Sequence, residues 1–174
     1  NASFAGQQET FLNIKRNEEL IGAVKRCFAS LFTARAVYYR EKKGFEHEKS
    51  LIAVVVQRMV NSDKSGVMFT VNPITNNPDE IIIEGVFGLG EGIVSGAIMP
   101  DQYTVDRKTG RLKDKKVNIK NTQVTRTSEG KTIMQELPDF KRNQQVFSES
   151  EIMQIASYGM DIEQHYNHPQ DIEF

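Results

Sequence analysis

Cysteine is almost missing from this sequence: Cys27 is the only one in 174 residues. It leaves no intramolecular disulfide and no cysteine-cluster zinc site to consider, and it fits a reducing compartment, so a cytoplasmic location is expected. Long apolar runs are missing too. The longest, Leu51 to Val56, falls far short of the roughly 20 residues that cross a bilayer, so no membrane partner is expected. Charge of one sign is not in excess either. The 22 Lys and Arg against 23 Asp and Glu leave a net charge of −1, which removes the global electrostatic case for a nucleic-acid partner. The start shows neither an initiator Met nor the basic-then-apolar layout of a signal peptide, and the chain is read as part of a longer one.

What is there suits a globular protein: 39% hydrophobic and 26% charged residues can bury a core, over a length that fits one domain or one lobe of something larger. Thr10 to Ile14 alternates loosely, as a short strand does. Asn17 is placed at a helix N-cap with Glu18 and Glu19 on the positive end of the dipole. Leu20, Ile21, Val24, Cys27, Phe28, Leu31 and Phe32 then recur at three- and four-residue steps, predicting one long helix that ends near Gly44.

Leu51 to Val60 is dense in β-branched residues and reads as a buried strand, joined by the polar turn 61–66 to a second strand, Val67 to Val71, in a hairpin. Glu80 to Glu84 supplies a third apolar strand, and Lys108-Thr109-Gly110 turns Gln102–Arg107 back onto Arg111–Lys120. Further short strands run to about Leu137. Ser148 with Glu151 makes a capping box, followed by a helix whose inner face carries Ile152, Ile155, Ala156, Gly159, Ile162 and Tyr166. The fold class is therefore α+β, a mainly antiparallel sheet with two long flanking helices.

Several groups could carry chemistry. Gly85, Gly88, Gly90, Gly92 and Gly96 crowd one stretch, where backbone could approach a phosphate or simply connect a strand tightly to a helix. The dinucleotide and P-loop patterns both fail, since Ile93 and Glu91 stand where glycine and lysine are needed. Asp171 and Glu173 are two apart in a short segment anchored by Ile172 and Phe174. On a strand both carboxylates would share one face and could hold a hard cation such as Mg²⁺, or they could be two solvated acids at an exit. Gln57 interrupts an apolar run; a buried amide there needs a partner, either backbone or ligand. Thr10, four residues after Gly6, carries the same ambiguity. His47, His165 and His168 lack a third ligand at useful spacing, and Lys113-Asp114-Lys115-Lys116 reads as a solvated face.

Five stretches occur in one order: Ser3-Phe4-Ala5-Gly6-Gln7-Gln8-Glu9-Thr10, Val55-Val56-Gln57-Arg58-Met59-Val60, Ser65 to Pro73, Gly88-Leu89-Gly90-Glu91 with Val94-Ser95-Gly96, and Pro169 to Glu173. Together they resemble the ATP-grasp nucleotide-binding domain of the pyruvate phosphate dikinase family, on its phosphoenolpyruvate synthase (pyruvate, water dikinase) branch. The resemblance covers essentially the whole chain, 1–174, as a partial ATP-grasp domain. It implies ATP and Mg²⁺ as cofactors, with Gly6, Thr10, Gln57 and Glu173 at the nucleotide and Asp171 and Glu173 at the metal. No catalytic nucleophile is expected in the chain itself. The implied reaction converts ATP, pyruvate and water to phosphoenolpyruvate, AMP and phosphate through a phosphohistidine, the partners being the phosphohistidine and the phosphoenolpyruvate/pyruvate-binding domains of the same parent chain. Pyruvate phosphate dikinase, a rifampin phosphotransferase and, in a different class, a non-catalytic nucleotide-binding scaffold are the alternatives. The family also carries a lysine and a Val-Arg-Ser-Ser arginine before the position of Asn1, and a glutamine and an arginine after Phe174. Without them the chain alone is expected to be inactive and to bind ATP weakly.

Overall fold

A serine and a threonine break what the apolar spacing predicts as one helix. In the computed structural model, which describes residues 7–174, helix α1 runs Asn17–Ala29, a 3-10 turn covers Ser30–Phe32, and α2 runs Ala34–Lys43. The Ser30 hydroxyl donates to the Cys27 carbonyl at 2.6 Å, and the Thr33 hydroxyl donates to the Ser30 carbonyl at 3.0 Å while accepting from the Ala36 N–H at 3.4 Å. Side chains that compete for backbone groups in this way end one helix and cap the next. The buried guanidinium of Arg40 closes the corner, with Nη2 on the Leu31 carbonyl at 2.5 Å and Nε on His47 Nδ1 at 3.1 Å. Gly44 ends α2 in the left-handed region at φ 71°, as expected. The N-cap of α1 is Arg16 rather than Asn17, with the Glu19 carboxylate accepting from the N–H groups of Lys15 and Arg16.

The chain divides between Val60 and Asn61 into two units. In the first, the strands expected at Thr10–Ile14 and Leu51–Val60 form no ladder among the described residues, and Leu51, Val55 and Val60 are exposed. Composition favours a strand there, but a strand exists only through partner hydrogen bonds. The expected partner is committed elsewhere: β1, Lys64–Phe69, pairs with β2 on one side and β7 on the other, so the 51–60/67–71 hairpin does not form.

The second unit holds a five-stranded antiparallel sheet, order β4-β3-β2-β1-β7, built from β1, β2 (Glu80–Phe87), β3 (Asp101–Asp106), β4 (Arg111–Lys116) and β7 (Asp171–Glu173). A short helix α3, Glu91–Val94, follows β2, and a hairpin of β5 (Thr122–Arg126) and β6 (Thr132–Glu136) leads to α4, Asp139–Arg142. The β3–β4 hairpin turns at the predicted place, and β4 is exposed along its basic length. Helix α5, Glu149–Tyr166, covers one sheet face, burying Ile152, Ala156 and Gly159 against a core that includes Met68, Ile83, Tyr103 and Val105. A Cβ on Gly159 would sit 2.5 Å from the Met68 methyl, so the glycine makes room for the methionine tip beneath the helix. Tyr166, expected on the inner face, is exposed.

Ion pairs brace the unit, two of them at its centre and at the start of α5. Asp101 and Lys120 form a fully buried ion pair; Asp101 also accepts from the Asn118 N–H at 2.9 Å, the Tyr103 hydroxyl at 3.1 Å and the Val146 N–H at 2.9 Å. At the start of α5 the predicted capping box is present, and the Lys64 ammonium reaches Glu151 at 2.8 Å. Hydrogen bonds from Lys64, then from Ser148, push the Glu151 carboxyl down to about 2 from its ordinary 4.5. A folded value below the unfolded one gives stabilisation that is present above about pH 4.5 and lost as the pH falls toward 2. With both side chains part-exposed it amounts to about 1 kcal/mol or less. Urea midpoints of the chain and of Glu151→Gln should therefore differ near neutrality and converge by about pH 2. Lys120→Met, which leaves Asp101 buried and unpaired, should cost about 3–5 kcal/mol in the same measurement, and joint replacement of both residues by apolar ones should cost less.

Candidate functional site

Helix α5 stops at Asn167, which takes the left-handed conformation at φ 57°, and Pro169 prevents its resumption. The chain then returns along β1 as β7. Gly66 and Phe174 exchange backbone hydrogen bonds at 2.8 and 2.9 Å, and the Phe174 ring lies where a Cβ on Gly66 would be, 2.6 Å from its tip. The register sets Ile172 opposite Met68, with the core, and sets Asp171 opposite Phe69 and Glu173 opposite Val67. The two carboxylates thus project from one face of an anchored strand, the placement expected from their spacing.

Neither carboxylate has a hydrogen-bond or ion-pair partner among the described residues. Asp171 still reaches solvent, yet burial pushes its carboxyl above the ordinary 3.8. Among the described residues, no group of three His, Cys, Asp or Glu is arranged to hold a metal, so the pair can supply part of a coordination shell and not a complete cage. That donor set suits Mg²⁺, which takes one or two protein carboxylates and fills its other positions with water and phosphate oxygens.

In the first unit a cavity of about 850 Å³ is lined by Thr10 and Gln57 together, with Phe11, Leu20, Val24 and Ile52 among its apolar walls. Two of the residues expected at a nucleotide therefore meet in one concavity. Gly6, the third, lies outside the described residues. Gln57 is exposed rather than buried, because the run that carries it forms no sheet, so its amide is open to a ligand. The helix stripe splits accordingly: Leu20, Val24 and Cys27 line the cavity, whereas Ile21, Phe28 and Phe32 face outward.

Close packing accounts for three of the five glycines in the glycine-rich stretch, Gly85, Gly88 and Gly92. A Cβ would fall 2.2 Å from the Phe147 ring at Gly85, 2.1 Å from the Val124 carbonyl at Gly88 and 2.6 Å from Ile98 at Gly92. Gly88, at φ 81°, lets the next residue, Leu89, donate its N–H to that same Val124 carbonyl at 2.8 Å, which docks the β5–β6 hairpin on the loop. Of its two sequence readings, the tight strand-to-helix connection is the one these contacts support.

The family described as "Pyruvate phosphate dikinase, AMP/ATP-binding domain" matches residues 1–174. The chain belongs to that family. Among its relatives, a probable phosphoenolpyruvate synthase of Methanocaldococcus jannaschii is 50% identical over 173 residues, covering 99% of this chain and 15% of that protein. One of Archaeoglobus fulgidus is 52% identical over 174 residues, 100% of this chain and 23% of that protein. The rifampicin phosphotransferase of Bacillus subtilis is 41% identical over 174 residues, 100% of this chain and 20% of that protein. The chain thus spans between 15% and 23% of the length of these curated relatives.

Sequence reasoning passed over Thr70, Arg107 and Glu163, which bind the start of β7 to the sheet and to α5. Only the placement of Thr70 in an apolar strand hinted at them. For the glycine connection, Gly88→Ala should destabilise the family domain by more than about 1 kcal/mol, since both the clash and the positive φ oppose a Cβ. Gly96→Ala, with a positive φ but nothing within 4 Å, should cost less. Thermal unfolding of the two variants compares them.

Proposed function

We propose that this chain is the ATP-binding part of a phosphoenolpyruvate synthase. The parent would convert ATP, pyruvate and water to phosphoenolpyruvate, AMP and phosphate, passing a phosphoryl group through a histidine on another of its domains. The observation that carries this reading is the anchored β7 strand, which sets Asp171 and Glu173 on one face with no other partner among the described residues. In that role Glu173 binds metal and ATP phosphates, Asp171 is the second carboxylate at the metal, and Thr10 and Gln57 contact the nucleotide from the cavity they line. Bound Mg²⁺ would supply neutralisation of charge on the phosphate oxygens. The acceptors lie on the phosphohistidine and the phosphoenolpyruvate/pyruvate-binding domains, in keeping with how much longer the relatives are. No helix among the described residues is long and apolar enough to cross a membrane. The proposed enzyme would work in the cytoplasm.

The 41% identity to a rifampicin phosphotransferase favours a second reading, in which the same ATP-binding lobe serves a different acceptor. A non-catalytic scaffold is the less economical account, because it gives the paired carboxylates nothing to do. In the full-length enzyme, Glu173→Ala should lower the rate of phosphohistidine formation from ATP by more than about 100-fold, beyond what outer-shell changes at metal sites usually cause. The unfolding midpoint should stay near that of the unaltered protein. Phosphorylation at an unchanged rate would favour the scaffold.

A further inference from the structure

The ladder that holds β7 has an irregular last rung. Gly66 and Phe174 exchange both backbone hydrogen bonds, and in the same alternation Thr70 and Gln170 should do likewise. Half of that rung is regular, the Thr70 N–H donating to the Gln170 carbonyl at 3.0 Å. The other half is rewired. The Gln170 N–H donates to the Thr70 hydroxyl, Oγ1, at 2.8 Å, and the Thr70 carbonyl accepts instead from Arg107 Nη2 at 3.0 Å.

Arg107 is itself fixed. Its guanidinium meets the Glu163 carboxylate of α5 at 2.9 and 2.5 Å in a two-point contact, and its own N–H donates to the Asp79 carbonyl at 2.9 Å. Thr70 is fully buried, with its methyl directed toward Gly159 of α5. The Thr70 hydroxyl, together with the Thr70 N–H, therefore joins the residue just before Asp171 to a framework made of β1, the end of β3 and α5.

We infer that Thr70 is a positioning residue for the Asp171–Glu173 carboxylate pair, acting through its hydroxyl on the Gln170 N–H. The inference rests on the metal reading of that pair. A three-residue edge strand has few bonds to define its direction, and loss of one of the two bonds in its entry rung loosens the backbone from which Asp171 projects. The Arg107–Glu163 contact supports the same rung from the other side, because it occupies the carbonyl that a regular ladder would offer to Gln170.

The test uses the full-length enzyme and Mn²⁺ as the probe, titrated in the presence of a non-hydrolysable ATP analogue and followed by the electron paramagnetic resonance signal of free Mn²⁺. Thr70→Val keeps the methyl contact and removes the acceptor, and should weaken Mn²⁺ binding about 10-fold, the lower end of what metal sites lose with an outer-shell partner. Thr70→Ser, which keeps the hydroxyl, should bind within about two-fold of the unaltered protein and so rescue the loss. Backbone amide exchange in the Gln170–Asp171 segment should quicken in the valine variant alone, and the apparent KM for Mg²⁺ should rise with little change in kcat at saturating metal.

Equal Mn²⁺ affinity for Thr70→Val and the unaltered protein, or equal losses in the valine and serine variants, would overturn the inference. If the valine variant does not fold, Thr70→Ala takes its place: it removes the same acceptor without adding a methyl, so Mn²⁺ binding weaker than in Thr70→Ser supports the inference and binding equal to it refutes it. Asp171→Asn separates the two levels. If it leaves Mn²⁺ affinity unchanged, the metal reading fails and the inference with it; if it weakens binding while Thr70→Val does not, only the positioning role is refuted.

Discussion

The second unit is organised around a charge that has left water. Asp101 gathers an ammonium, two backbone N–H groups and a phenol onto one carboxylate, and these donors come from three stretches of chain, around residues 103, 118–120 and 146. Lys120 also donates to the Asn118 carbonyl, and the Tyr103 hydroxyl accepts from the Phe147 N–H. Burial holds that phenol above its ordinary range, so it stays a neutral donor. A buried charge with fewer partners would be costly enough to favour another arrangement, so this network admits one path for the 117–121 segment and one for the 145–148 segment. The path of the latter puts Phe147 against Gly85 and, through its ring, against Phe174 at 5.8 Å.

That last contact links the buried network to the site. Phe174 closes the far end of β7, next to Gly66, while Thr70 closes the near end, so the acid-bearing strand is clamped at both limits by residues that themselves rest on the core. The effect of the two clamps is geometric: they keep two carboxylates on one face of the strand.

Local features were legible in the sequence. Lys108-Thr109-Gly110 marked the β3–β4 turn, Ser148 and Glu151 marked the start of α5, and Gly44 marked the end of α2, because each of these is decided by neighbours within a few residues. The two-residue spacing of Asp171 and Glu173 gave their shared face for the same reason. The illegible parts were decided at long range or by competition. Leu51–Val60 has the composition of a strand but no free edge on β1 to join, and Gln57 was judged buried only as a consequence of that strand. Ser30 and Thr33 broke the first helix although the apolar spacing continued through them. Thr70 and Gln170, or Asp101 and Lys120, are partners only once the sheet exists, and no periodicity announces such a pair.

The two borders of the sheet differ in a way that bears on life in a crowded solution. The outermost strand on one side, β4, is lined with Arg111, Lys113, Lys115 and Lys116, nearly all in water. A second molecule approaching to extend the ladder there would have to strip and juxtapose those cations, so this border deters fibre-like stacking. The opposite border offers only the three residues of β7, too brief a template for such growth, and it can therefore remain unshielded by lysine beside the acids it displays.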